Sequence, residues 1–165
     1  MAANLATAGA ATAMIKSLTI ADVGSMLPIE NAAHVYPWSE AVLASCFGER
    51  YRVFGLFIEE ESGHSQLVGY AIYQYLFEEA TLMNICINPS AQGRGFGNTL
   101  LSHSMQTLVD KAAIEVVFLE VRQSNQAAIA LYHKLGFSID GERKNYYQTA
   151  SGRETAVLMS KRFAS

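Results

Sequence analysis

Three glycines at alternate positions, Gly93, Gly95 and Gly97, stand directly before a stretch of helical periodicity and are the residues whose spacing first suggests chemistry. With no side chains in the way, the loop's backbone N–H groups can approach a ligand and converge with the positive end of the helix that follows. Such a loop is an anion site suited to phosphate. Two nucleotide motifs do not fit: the loop lacks the Lys-Ser/Thr pair of a P-loop, and Asn98 stands where Gly-x-Gly-x-x-Gly needs its last glycine. A tight strand-to-helix turn is the plainer explanation of the same glycines. Cys86 is a candidate nucleophile, but the sequence offers it no partnering histidine. His34, His64, His103 and His133 show no paired spacing with one another or with the cysteines, so no metal is expected.

Holding such a loop takes a strand that ends just before it and a helix that starts just after it, and the pattern supplies both. Residues 51–58, 67–77 and 80–88 are strand-like, and the short connections 59–66 and Glu78-Glu79 predict an antiparallel meander. Beyond Pro89 and the glycines, Leu100, Leu101, Met105, Leu108 and Val109 recur near one helical face. Residues 116–121 favour a strand, Asn125 can cap a helix carrying Ala128, Leu131, Tyr132 and Leu135 on one side, and Gly136 sits where a left-handed stop belongs. Phe137 and residues 154–161 supply the last strands. Nearer the start, 15–18 reads as a short strand. A helix with Val23, Met26, Leu27 and Ile29 follows, its end left open by Pro28. Residues 33–38 form a bulky aromatic loop, after which Ser39 caps a short helix.

At 165 residues, half of them hydrophobic, the chain is long enough for one self-sufficient core and short for two. A formal net charge of −3 argues against coating nucleic acid or an anionic membrane, so neither is expected as a direct partner. Cys46 and Cys86 lie in apolar segments and read as small buried hydrophobes of a reduced, cytoplasmic protein. No apolar run approaches the roughly eighteen residues of a membrane span. Residues 1–14, rich in Ala and Thr and without the cationic start of a secretory signal, read as a flexible extension to a single domain over 15–165.

Gln92-x-x-Gly95-x-Gly97, following Asn84-Ile85-Cys86-Ile87-Asn88-Pro89, resembles the acetyl-coenzyme A signature of the GNAT N-acetyltransferases. Further segments resemble the branch of that family that acetylates the N-terminal alanine of ribosomal proteins. They include Ala33-His34-x-Tyr36-Pro37-Trp38-Ser39-Glu40, Leu119-Glu120-Val121-Arg122, Ser124-Asn125-x-Ala127-Ala128 and Asn145-Tyr146-Tyr147, and the likeness runs from about residue 18 to residue 159. The resemblance implies a mixed α/β fold: a twisted, mostly antiparallel central sheet whose parallel central strands splay apart, flanked by helices. It implies acetyl-CoA as cosubstrate, with Ile85, Cys86 and Ile87 presenting main-chain groups to the pantetheine arm. Gln92, Gly93, Arg94, Gly95, Phe96, Gly97 and Asn98 would cradle the pyrophosphate, with Asn125 as a further contact.

The resemblance also assigns Glu120 as proton acceptor and Tyr132 as proton donor to the departing thiolate, with direct transfer in a ternary complex. A carboxylate suits the first task, because an α-amine with a pKa of about 7.7–8 must lose a proton before it can attack a thioester. Tyr36 and Trp38, with Tyr146 and Tyr147, would frame a slot for the acceptor, a protein N-terminus from the small ribosomal subunit. Taken alone, Glu120 reads as an exposed carboxylate at a strand end, Tyr132 as one more aromatic on an amphipathic helix, and Trp38 as a core residue. Two departures stand out: Gly93 where the family often carries arginine, and Gln148 where a proline follows the tyrosine pair. Two other functions remain open. An acetyltransferase for lysines or small amines would keep the cofactor loop; a non-catalytic acyl-CoA sensor would keep the loop and lose Glu120 and Tyr132.

Overall fold

In the computed structural model, which describes residues 3–8 and 11–164, the strand-favouring segments assemble into one mixed sheet. Its strands are β1 (Ala3–Ala8), β2 (Ala11–Ser17), β3 (Tyr51–Glu59), β4 (Ser65–Leu76), β5 (Glu79–Ile87), β6 (Val116–Arg122), β7 (Ser138–Thr149) and β8 (Gly152–Arg162). They lie in the order β1-β2-β3-β4-β5-β6-β8-β7. The β5–β6 pair is parallel and the others are antiparallel. Helices α1 (Val23–Ala33) and α2 (Glu40–Ala44) precede the meander, α3 (Phe96–Ala112) crosses from β5 to β6, and α4 (Gln126–Lys134) follows β6.

β4 is buried without interruption from Leu67 to Tyr73, as a strand covered on both faces must be. Its alternate residues serve different cores. Val68, Ala71 and Tyr73 join Leu100, Leu101 and Met105 of α3 on one face, while Leu67, Tyr70 and Ile72 join Met26 and Ile29 of α1 on the other. Each fully buried leucine or methionine of that kind contributes about 1.5–3 kcal/mol by leaving water. The hydroxyls of Tyr73 and Ser104, 2.7 Å apart, satisfy each other and lock α3 onto β4.

The seam between β5 and β6 sets up the site. Their parallel register runs only from Glu79 opposite Val116 to Leu82 opposite Leu119. At that point the β4–β5 register shifts, Tyr73 facing Leu82 and Ile72 facing Asn84, so Met83 is an extra residue. A bulge of this kind bends its strand and ends pairing on the far side. β5 and β6 then part, as the family resemblance implies.

Two expectations change, and the end of α1, left open at Pro28, is fixed. Residues 12–14 are not a free extension: they pair with Glu59, Ile58 and Phe57 of β3, and Ala13 is buried. Ala3–Ala8 adds an edge strand outside them, so the ordered sheet begins well before residue 15. β3 offers the backbone edge on which residues 12–14 pair; residues 1, 2, 9 and 10 of the expected extension lie outside the described residues. Helix α1 continues through Pro28 to Ala33 because packing of Met26, Ile29 and Glu30 outweighs the lost backbone bond. The second change is β7, which runs the whole way from Ser138 to Thr149, although few of its residues are buried.

Candidate active site

A cleft of about 520 Å³ opens where β5 and β6 part. Its floor is the outer half of β5, including Ile85, Cys86 and Ile87, and its far wall is β6 from Leu119 to Arg122. Gln92, Gly93, Gly95, Phe96 and Gly97 also line it, as do Asn125, Tyr132 and Tyr147. Arg94 and Asn98 belong to the same loop but do not line the cleft: Arg94 lies over the Phe96 ring at 4.9 Å, and Asn98 Oδ1 accepts from Ser102 Oγ.

The loop's shape follows from its glycines. Gly93 and Gly95 adopt φ of +77° and +79°, a left-handed conformation that side chains disfavour by about 1–2 kcal/mol. Gly95 is the N-cap of α3, and the first bond into that helix is Thr99 N–H to Gly95 O, so the N–H groups of residues 96–98 precede the intrahelical ladder. Gln92 donates from Nε2 to Ile87 O, pinning the loop to the end of β5. Donors at a helix N-terminus, with space for a ligand backbone, fit a pyrophosphate.

Glu120 and Tyr132 reach this cleft from different elements. Glu120 is half-buried on β6, with Arg143 Nη2 of β7 3.5 Å from its Oε1. Tyr132 is buried on α4, whose start is capped by Asn125 Oδ1 accepting from Ala128 N–H, and its ring lies 5.7 Å from that of Phe137. Burial, with Tyr147 nearby, pushes the Tyr132 phenol up to about 12. Tyr147 is likewise pushed up to about 12, by burial first and then by the charge of Glu120.

Of the four aromatic residues expected at an acceptor slot, Tyr147 lines the cleft and the others do not. Tyr36 stands over Arg122 at 4.8 Å, with Tyr147 on the same guanidinium at 4.4 Å. Arg122 also donates to Glu154 Oε1 and Gln148 O, so one cation ties the loop after α1 to the β7–β8 hairpin. Tyr146 is exposed and carries Arg143 over its ring, while Trp38 packs partly into the core beside α1.

A buried polar cluster that sequence reasoning missed borders the β5 side. Glu30 is 0% exposed; its carboxylate accepts from Tyr70 O–H at 2.5 Å, Asn84 Nδ2 at 2.7 Å and Trp38 N–H at 2.9 Å. Burial alone would push the carboxyl up, but these three hydrogen bonds outweigh it and hold Glu30 below the usual carboxylate range. His34 lines the cleft and its Nε2 lies 3.1 Å from Asn84 Oδ1 and 2.9 Å from Cys86 Sγ. Cys86 therefore does have a neighbouring histidine, contrary to the sequence reading. Burial pushes its thiol up, and the Glu30 charge adds to the shift, so it is poorly set up as a thiolate nucleophile. Glu30, His34 and Cys86 offer three ligand-type atoms within 4.8 Å of one another. Glu30 Oε1 already accepts from Tyr70 and Asn84, so the donors fit a hydrogen-bonded cluster better than a coordination shell. The readable signal was Met26, Glu30 and His34 at i, i+4 spacing, which sets a carboxylate on an apolar helix face.

A glycine loop at a helix N-terminus, set beside two parallel strands that part, is the architecture of a coenzyme A-dependent acyltransferase. The chain belongs to the acetyltransferase (GNAT) family, whose model matches residues 23–137. More narrowly, it is 43% identical over 146 residues to the [ribosomal protein bS18]-alanine N-acetyltransferase of Escherichia coli K12, covering 88% of this chain and 95% of that enzyme. The enzyme of the same description from Haemophilus influenzae is 43% identical over 148 residues, covering 89% and 97%. The crystal structure of the Escherichia coli ribosomal-protein-S18-alanine N-acetyltransferase superposes with a TM-score of 0.84 at 41% identity, over 93% of this chain and 95% of that one. Among the described residues no helix is long and apolar enough to cross a membrane.

Proposed function

We propose that this enzyme moves the acetyl group of acetyl-CoA to the α-amine of an N-terminal alanine on a small-subunit ribosomal protein of the bS18 type. The observation that carries the reading is the 43% identity to enzymes of that specificity across nearly their whole length. Glu120 and Tyr132 sharing one cleft with the glycine loop supports it.

In this mechanism the N–H groups of the 93–98 loop hold the pyrophosphate, and the outer half of β5 pairs with the amides of the pantetheine arm as if with an added strand. Glu120 takes one proton from the acceptor's ammonium and passes it to solvent, leaving a neutral amine. The amine nitrogen bonds to the thioester carbon and the C–S bond breaks. Tyr132 gives its phenolic proton to the departing sulfur, and the second proton lost from nitrogen as the amide forms returns through Glu120 and water to the phenolate. One proton is released per turnover. A phenol held near 12 in a buried place donates only as negative charge concentrates on a poorly solvated sulfur, which fits its position on the enclosed wall. No covalent acyl-enzyme is needed, in keeping with the raised thiol of Cys86.

The test is a competition followed by mass spectrometry. Purified protein and acetyl-CoA are given equimolar peptides, one with a free N-terminal alanine and no lysine, the other N-terminally blocked with an internal lysine. Acetylation of the first alone is expected. Acetylation of the second alone overturns the acceptor assignment, and binding of acetyl-CoA with transfer to neither peptide or to small amines points to a sensor.

A further inference from the structure

Glu30 is a fully buried carboxylate that takes no part in the transfer, yet three elements spend hydrogen bonds on it: Tyr70 from β4, Asn84 from β5 and the Trp38 backbone after α1. These bonds fix more than the carboxylate. With its amide nitrogen committed to Glu30, Asn84 turns Oδ1 toward His34 Nε2 at 3.1 Å. An amide oxygen only accepts, so in the neutral ring Nε2 carries the proton and Nδ1 the lone pair. Cys86 Sγ lies 2.9 Å from the same nitrogen and 3.5 Å from Glu30 Oε1, so with Nε2 protonated the sulfur can accept from the ring and turn its own S–H to the carboxylate. The opposite tautomer would set the Nε2 lone pair against the Asn84 oxygen.

The ring so fixed lines the cleft on the β5 side, its side chain 36% exposed, while Glu120 stands on β6. We propose that His34 is a second anchor for the acceptor amine: its Nδ1 accepts an N–H of the amine from the β5 side while Glu120 works from β6, and Asn84 and Glu30 are the positioning residues that set its tautomer. This rests on the reading of an α-amine acceptor with Glu120 as base. Once Glu120 has removed one proton, the amine keeps two N–H bonds and one lone pair. Holding one N–H on Nδ1 restricts rotation of the nitrogen and directs the lone pair toward the thioester carbon. His34 itself gains and loses no proton.

Two measurements on the full chain test this. The 15N chemical shifts of the His34 ring in the free protein at pH 8 are expected to show the Nε2–H tautomer, and to move toward a mixture in Asn84→Ala. A proton on Nδ1 in the wild type overturns the proposal whatever the acceptor is. Second, His34→Gln keeps an amide donor near the Nε2 position but has nothing at Nδ1. It is expected to raise KM for the alanine peptide by about twofold to tenfold, the worth of one hydrogen bond between neutral groups, with KM for acetyl-CoA unchanged. An unchanged peptide KM in an active, folded His34→Gln enzyme overturns the inference and leaves the acceptor reading standing. A wild type that never acetylates the alanine peptide overturns both.

Discussion

Arg143 Nη2 lies 3.5 Å from Glu120 Oε1, so the carboxylate over the cleft is paired with a cation from the outermost strand of the sheet. The same guanidinium covers the ring of Tyr146, which couples the exposed face of β7 to the Glu120 carboxylate. Both members of the pair are partly exposed, at 56% and 29%, so the ion pair contributes under about 1 kcal/mol to stability. Its value is positional. Arg143→Ala is expected to leave the urea midpoint nearly unchanged and to lower kcat/KM for the alanine peptide; unfolding curves run beside steady-state kinetics separate the two effects.

Glu120→Gln removes the proton acceptor while keeping the shape. At pH 7 the loss in kcat/KM should be about 10²–10⁴-fold, the usual worth of general base catalysis. The deficit should shrink as pH rises past about 8, where the free α-amine is already deprotonated in solution. A pH–rate series for both enzymes checks this, and parallel profiles would contradict the assignment.

Tyr132→Phe should lower kcat far more than it changes acetyl-CoA binding, measured by calorimetry. Because burial pushes the phenol up to about 12, wild-type activity should show no falling limb from this group as pH climbs to 10. The same shift has a stability consequence. A group whose pKa is raised on folding contributes stability that is complete below the unfolded value of about 10 and is lost as pH rises toward the folded one. Urea midpoints between pH 8 and 11.5 should fall more steeply for wild type than for Tyr132→Phe.

Glu30 works in the opposite direction. Its hydrogen bonds hold the carboxyl below the usual carboxylate range, so its stabilisation is present at neutral pH and is lost as pH falls through and below that range. Glu30→Gln sets an amide N–H against donors already aimed at the carboxylate, costing about 1–3 kcal/mol at pH 7. Urea unfolding from pH 7 to pH 3 should show a lower plateau and a flatter acid limb for the variant.

Features set by local rules were readable in the sequence, and features set by distant partners were not. The glycine loop announces itself because positive φ at Gly93 and Gly95 is a local demand, and Asn125 and Ser39 announce themselves as caps within three residues of the N–H groups they bind. Glu30 meets Asn84 across 54 positions of chain and Tyr70 across 40, so its helix spacing hinted at an oddity without saying what answered it. β7 escaped for a different reason. An exposed strand with register shifts after Ile139 and Arg143 keeps little hydrophobic alternation, and it exists because β8 offers an edge. Arg122 read as one residue of a motif, whereas the structure makes it the clasp between Tyr36 and Tyr147.

The sheet is joined down its middle by a short seam. Five strands lie on one side and three on the other, and the four residue pairs from Glu79–Val116 to Leu82–Leu119 are the whole register between them. Mechanically this is a hinge line rather than a continuous plate, stapled on one face by the buried residues of α3. On the proposed binding mode a ligand along the gap would touch both halves and splice them, which would make substrate part of the load path of the fold. Heat or force should part the molecule along this line first, and the enzyme should stiffen as a whole when it is charged for catalysis.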